Sequence, residues 1–321
     1  MTMDRSATTT HTEGDPPVVS IVVVNWNNYD DTSECLDTLT ELSYPNYRVV
    51  VVDNGSTDGS GERLAAGFDG CEFVFTGHNR GFGGGCNAGI ERALANGTDY
   101  VLLLNNDASV AADTIDELVA VADESAADIV GAMVRDQSDK PIISHPNWYP
   151  DMLFYSGYRA NLPFVSDSRA AYADRRWWAT DRIEGAGVLL SRALLRDRRD
   201  SVGQFLDESL FMYCEEVELA LWCREYDRTS VVAERAPVVH DGGNSSNRAF
   251  QLYYLTRNRV LIAHRYLSGP ARVLFDVLYV CSRLAIAGRH VKRGARREAR
   301  AILRGLADGY RHIEGQVERP S

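Results

Sequence analysis

Short apolar runs alternate with helical repeats through the first part of the 321-residue chain. Residues 18–24, 48–52, 72–76, 100–104 and 128–134 are runs dominated by Val, Leu, Ile and Phe, the pattern of strands with little exposed face. Between them, residues 30–42, 60–68, 84–95 and 112–126 read as helices. In the first, Cys35, Leu36, Leu39 and Leu42 share one face; in the last, Ile115, Leu118, Val119 and Ala122 do. This β-α-β-α order predicts an α/β fold with a mostly parallel central sheet and helices on both faces.

The pattern weakens over residues 135–182, where Pro, Tyr and Trp are scattered, Trp148, Trp177 and Trp178 among them. That stretch reads as a long, partly irregular region lining a site, where Trp177 and Trp178 could stack on an apolar face of a ligand but read better as packing aromatics. A strand over 184–191, a helix over about 215–226 and three helices over 251–266, 271–287 and 296–310 follow. The expected division is a disordered leader over 1–17, one domain over 18–250 and a helical C-terminal extension over 251–321.

In open parallel sheets, ligands bind beyond the carboxyl ends of the strands. The first strand runs into Asn25-Trp26-Asn27-Asn28, the second into Asp53-Asn54-Gly55-Ser56-Thr57-Asp58-Gly59, and the fourth into Asn105-Asn106-Asp107. Each of these loops can be a plain turn; together they predict one polar crevice. Asp107 suits a divalent cation, because Mg²⁺ takes one or two carboxylates and fills its shell with substrate phosphates. Asn106 would orient that group, and Asp53 would accept from a base N–H or a ribose hydroxyl. Gly83, Gly85 and Ala88 fit a G-x-G-x-x-A dinucleotide fingerprint. That fingerprint belongs in the first strand–helix turn, which here holds no glycine, so the glycines read as sites of close helix packing.

"FLDESLFMYCEEVELALWCR", residues 205–224, crowds five acids into one region. Glu215 and Glu216 fall at a helix start, where the dipole favours carboxylates whatever their role. One of them could equally be a general base, with Val217, Ala220 and Leu221 anchoring the helix. His240 closes a strand-like stretch and is either structural or a metal ligand.

Charge refines the picture. The formal net charge is −11, which disfavours a nucleic-acid binder. From Thr256 onward 14 Lys/Arg face 5 Asp/Glu, a balance of +9, which leaves −20 for the rest. Such a tail points to an anionic surface. Residues 271–287 place Leu274, Val277, Leu278, Cys281, Leu284 and Ala285 on one side, and Arg272, Asp276, Tyr279, Arg283 and His290 on the other. That stretch falls short of the ~20 apolar residues a bilayer span needs. Two readings stand: a helix lying on anionic lipid, or a helical pair packed on the main domain with a solvated basic face. The six cysteines form no Cys-x-x-Cys pair and suit buried thiols in a reducing compartment.

The segments "VDNGSTDGS", "NRGFGGGCNAG", "LLLNNDA", "EGAGVLLSR" and "FLDESLFMYCEEVELALWCR" occur in the order found in glycosyltransferase family 2. Over residues 18–259 the chain resembles the rhamnosyltransferase-like branch that builds surface glycans. The resemblance implies a GT-A type nucleotide-diphospho-sugar transferase fold. It implies inverting transfer, by direct displacement, of a hexosyl or deoxyhexosyl group from a nucleotide-diphosphate sugar to a glycan or lipid-linked acceptor. It also implies a divalent cation, Mg²⁺ or Mn²⁺. Carried over, Asp53 contacts the nucleotide base with Asn54 beside it, Asn25 lies at the ribose or base edge, and Asn79 and Asn87 shape the donor pocket. Asp107 matches the last acid of the D-x-D metal motif, and His240 the later His that completes the metal site. Glu216 matches the base of the E-D pair, though either Glu215 or Glu216 could serve. Two departures are visible: Asn105-Asn106-Asp107 lacks one carboxylate of D-x-D, and the E-D pair is Glu-Glu. The implied location is cytoplasmic, peripheral on the membrane face. A nucleotidyltransferase would want a Gly-rich, basic first loop that is missing here, while a non-catalytic sugar-nucleotide or glycan binder draws support only from the thinned metal motif.

Overall fold

The computed structural model describes residues 15–138, 175–180, 183, 185–240 and 247–317. Most of the irregular 135–182 stretch, with Trp148, lies outside the described residues, as do residues 1–14 and 241–246. The first half follows the apolar pattern closely: β1 (Val19–Asn25), α1 (Tyr29–Leu39), β2 (Tyr47–Asp53), α2 (Ser60–Gly67), β3 (Cys71–Phe75), α3 (Gly81–Ala95), β4 (Tyr100–Leu104), β5 (Ala108–Val110), α4 (Thr114–Ser125) and β6 (Ile129–Arg135). Then come β7 (Trp177–Ala179), β8 (Gly187–Ser191), α5 (Arg192–Val202), a 3₁₀ turn (Glu208–Leu210), α6 (Glu215–Glu225), β9 (Ser230–His240), α7 (Arg248–Tyr266), α8 (Gly269–Lys292) and α9 (Arg296–Tyr310).

These strands form one nine-stranded sheet of order β3-β2-β1-β4-β8-β6-β9-β5, with β7 paired to β9. From β3 to β4 every pair is parallel, as the crossover helices dictate. Beyond β4 the sheet is mixed: β8 runs antiparallel to both β4 and β6, whereas β6 and β9 are parallel. The reversal matters for the site, since it places the start of β8 beside the polar end of β4.

Helices cover both faces. α1, α2 and α4 pack Leu36, Leu64 and Leu118 against Ile21, Val51 and Leu102. α3, α5 and α6 pack Ile90, Leu194, Leu219 and Trp222 against Val22, Val52 and Leu103 on the other face. The glycines of α3 are what let it sit so close. A Cβ on Gly89 would lie 2.3 Å from a Val22 methyl, and one on Gly85 2.7 Å from Val24. Trp178 packs with Met133 and Val232, and Trp177 Nε1 donates to Glu124, so both tryptophans are framework.

α5 was not expected from the pattern. Its sequence is mostly charged, and it is anchored by Leu194, Leu195 and a fully buried Arg198. Ser191 caps it by accepting from the Leu194 N–H. The three C-terminal helices join the main body: Val260, Leu261, Phe275, Tyr279 and Leu306 share a cluster with Leu210, Cys214, Val217 and Leu221. No helix among the described residues is long and apolar enough to cross a membrane.

Candidate functional site

The crevice at the strand ends is built by side chains that satisfy one another. Asn25 is fully buried at the end of β1. Its amide donates to Asp53 Oδ1 at 3.0 Å, Ser56 Oγ at 3.1 Å and Ser60 Oγ at 3.0 Å, and its carbonyl accepts from Thr32 at 3.0 Å. Asp53 Oδ2 accepts from the Ser56 N–H at 3.1 Å. Gly61 must lack a side chain here, because a Cβ would lie 2.5 Å from the Asp53 carboxylate. Thr57 N–H donates to Asn27 Oδ1, which laces the β2–α2 loop to the β1–α1 loop.

Asn54 and Asn79 brace the next loop. Asn54 donates to the Gly81 carbonyl at 2.9 Å and to Asn79 Oδ1 at 3.3 Å, while its own oxygen accepts from the Arg80 N–H. Asn79 Oδ1 also accepts from the Gly81 N–H. Asn87, buried in α3, exchanges two bonds with the backbone of Leu206 and donates to Glu208. Asn25, Asn54 and Asn87 therefore spend their hydrogen-bonding capacity inside the protein. They set the shape of the crevice and do not line it. Trp26, which the pattern did not single out, is 48% exposed at the end of β1, next to this network.

Asp107 and His240 meet because β5 pairs with β9 and sets Ala108 opposite His240. His240 Nε2 lies 3.0 Å from Asp107 Oδ1 and 3.2 Å from the Asn105 amide. Burial alone would raise the Asp107 carboxyl; the hydrogen bond and charge of His240 outweigh it and hold the group below its ordinary range. Asn106 turns away to donate to Thr32 at 2.9 Å. Among the described residues, no group of three or more His, Cys, Asp or Glu side chains is arranged to hold a metal.

The acids of residues 207–218 separate into two sets. Asp207 pairs with Arg265, Glu208 with Arg80 at 2.9 Å, and Glu218 with the buried Arg198 and the Tyr266 hydroxyl. Glu215 and Glu216 are left to line a cavity with Phe82, Leu103, Gly185, Val188, Leu206 and Leu219. Glu215 is 4% exposed, and its Oε1 has no hydrogen-bond partner. Burial, then the charge of Glu216, pushes its carboxyl up to about 8. Glu216 is only part-buried. Residues 185–186 join this cavity to the Asp107–His240 pair: Gly185 lines it, and the Ala186 carbonyl accepts from the Asn105 N–H at 3.1 Å.

A run of non-glycine residues with positive φ precedes Glu215: Phe211 at 62°, Tyr213 at 68° and Cys214 at 74°. Asn258 Nδ2 of α7 lies 2.8–3.0 Å from the carbonyls of Leu210, Met212 and Tyr213, and Arg257 donates to Leu210 O at 2.7 Å. Sequence reasoning missed both residues, since their partners are backbone atoms that carry no side-chain signature.

Residues 20–176 match the family model described as "Glycosyl transferase family 2". Over that stretch, just under half of its length, the chain is similar to glycosyltransferase family 2. A Haloferax volcanii relative, "Low-salt glycan biosynthesis hexosyltransferase Agl10", is 23% identical over 86% of this chain and 84% of its own length. A Mycobacterium tuberculosis family relative, "N-acetylglucosaminyl-diphospho-decaprenol L-rhamnosyltransferase", is 27% identical over 72% of this chain and 78% of its own. The fold agrees with that of the Pyrobaculum calidifontis mannosyltransferase PcManGT, solved with GDP-Man and Mn²⁺. The TM-score is 0.54 at 16% identity, covering 92% of this chain and 88% of that one. The GT-A type fold expected from the family resemblance is the fold observed.

Proposed function

We propose that this glycosyltransferase inverts the anomeric centre as it moves a hexosyl or deoxyhexosyl group from a nucleotide-diphosphate sugar to a hydroxyl of a glycan or lipid-linked acceptor. The supporting observation is one sheet end where Asp107 and His240 sit 3.0 Å apart, joined through residues 185–186 to the cavity of Glu215 and Glu216. Relatives named for hexosyl and rhamnosyl transfer support this substrate class.

Glu216 is the base in this reading. Glu215, buried and protonated at neutral pH, has no vacant carboxylate to offer. The acceptor oxygen forms a bond to C1 while its proton passes to Glu216, and the bond from C1 to the phosphate oxygen breaks, releasing the nucleoside diphosphate. The apolar wall formed by Phe82, Leu103, Val188 and Leu219 restricts water, which would otherwise hydrolyse the donor.

The residues present fit a divalent cation. A carboxylate oxygen and an imidazole nitrogen 3.0 Å apart at the sheet end are donors that Mg²⁺ or Mn²⁺ accepts. Asp107 and His240 would hold Mg²⁺ or Mn²⁺, and the donor diphosphate would complete the shell. When bound, the cation neutralises charge on the leaving diphosphate. Asp53, Asn25 and Asn54 shape the seat of the nucleotide, with Asn79 and Asn87 fixing its walls and Asn106 holding the metal loop in place. Six cysteines without a disulfide suit work in the cytoplasm.

The test is a panel of nucleotide sugars with Mg²⁺ or Mn²⁺, read by nucleoside-diphosphate release. Glu216→Gln should lose about 10²- to 10⁴-fold in kcat with donor binding retained. A Glu216→Gln variant that turns over like the wild type would refute the assignment.

A further inference from the structure

The helix α8 is mounted inside out. Its buried residues are Phe275, Tyr279, Arg283 and Ala287, spaced one turn apart, with Arg283 stacked 4.9 Å over the Tyr279 ring. The side that looks polar in the sequence is the packed side. The apolar side faces outward: Val273, Leu274, Val277, Leu278, Leu284 and Val291 are each 48–63% exposed. At 1.5 Å per residue, positions 273–291 make a stripe on the order of 27 Å long. A patch of that size on a soluble surface marks an interaction site.

We propose that α8 lies flat on an anionic lipid bilayer, with this stripe inserted at the headgroup boundary. Charge selects the occupant. Exposed Arg289, Lys292 and Arg293 lie at the end of α8, and exposed Arg296 and Arg300 in the first turns of α9. The one acid of α8, Asp276, turns inward to His264 at 3.0 Å and to the Tyr310 hydroxyl at 2.8 Å. A second copy of this face would therefore bring mainly further cations to meet these, whereas anionic headgroups answer them. The remaining 255 residues carry −20, so an anionic surface repels the body and attracts the tail, which fixes the orientation of docking. The inference stands apart from the identity of the sugar, because vesicle binding and transfer are read separately.

The experiment is flotation of the full-length protein with phosphatidylcholine vesicles, with and without phosphatidylglycerol. The wild type should float with the mixed vesicles, remain at the bottom with phosphatidylcholine alone, and be released by high salt. The double variant Val277→Glu/Leu284→Glu changes only exposed positions, so its thermal unfolding should match the wild type while flotation falls at least about tenfold. Lys292→Glu/Arg293→Glu should lose the preference for phosphatidylglycerol. Wild type that floats with neither vesicle, or a double variant that floats undiminished, would overturn the proposal. So would a lipid-free dimer by light scattering that the double variant dissolves, since that result assigns the stripe to a second copy.

Discussion

Glu215 is an acid kept where its charge is unwelcome, and this has a measurable consequence for stability. Its ordinary value is 4.5, and burial with Glu216 close by lifts it to about 8 in the folded chain. Below pH 4.5 both states hold the proton. Between 4.5 and about 8 the unfolded chain ionises while the folded chain does not, so stability falls as pH rises across that window. Glu215→Gln has no proton to lose. Its stability relative to wild type should rise by on the order of 2–4 kcal/mol between pH 4.5 and pH 8. Urea melts at both pH values check this, and curves that stay parallel would mean the carboxyl is not buried as described. At this scale the sequence was legible in residue type. Asp107, His240, Glu215 and Glu216 could all be picked out as candidates by residue type and position. Which acids of the 205–224 stretch remained available was not legible, because Arg80 and Arg265, which take up Glu208 and Asp207, lie far away in the chain.

At the level of elements, the long periodic segments were read well and the short ones were lost. β1, β2 and β4 are apolar runs with most residues buried on both faces, and such runs are plain in a sequence. β5 has three residues, too few to show a period, yet its pairing with β9 is what brings Asp107 to His240. The turn before α6 was equally hidden. Residues that take positive φ without being glycine cost of order 1–3 kcal/mol each unless their surroundings hold them. Phe211, Tyr213 and Cys214 are held by Asn258, whose amide reaches the carbonyls of Leu210, Met212 and Tyr213 from the middle of α7. Asn258→Ala leaves those buried carbonyls short of a donor, a loss of about 1–3 kcal/mol. Because the same turn aims α6, kcat should fall more than KM changes, and Asn258→Asp, which replaces donors by acceptors, should not rescue it. A variant that is destabilised but keeps its kcat would show that the turn does not position the acids.

The whole molecule turns on how the C-terminal helices relate to the sheet. Sequence composition changes sharply near residue 256, so the tail looks separable. Packing says otherwise. Ala301, Gly305 and Gly309 give α9 a flat side, and a Cβ on Gly305 would lie 2.5 Å from the Tyr253 carbonyl. Tyr253 donates to Asp308 at 2.8 Å, and Arg257 donates to the Gly315 carbonyl at 2.6 Å. That second bond ties the chain end to the very arginine that holds Leu210. Removing residues 268–321 therefore strips Phe275, Tyr279 and Leu306 from a cluster that includes Cys214, Val217 and Leu221. Each large core side chain lost costs about 2–5 kcal/mol, which together exceeds the margin of a typical domain. The truncated chain should aggregate or melt well below the full chain by calorimetry, and its sugar transfer should be lost with its fold. A truncation that stays monodisperse with an unchanged Tm would mean the tail is an appendage after all. The same argument explains why one helix can serve two surfaces. The inward side of α8 puts Phe275 and Tyr279 into one cluster with Cys214, Val217 and Leu221, which flank Glu215 and Glu216. Its outward side is left apolar, free to meet the layer from which a lipid-linked acceptor would come.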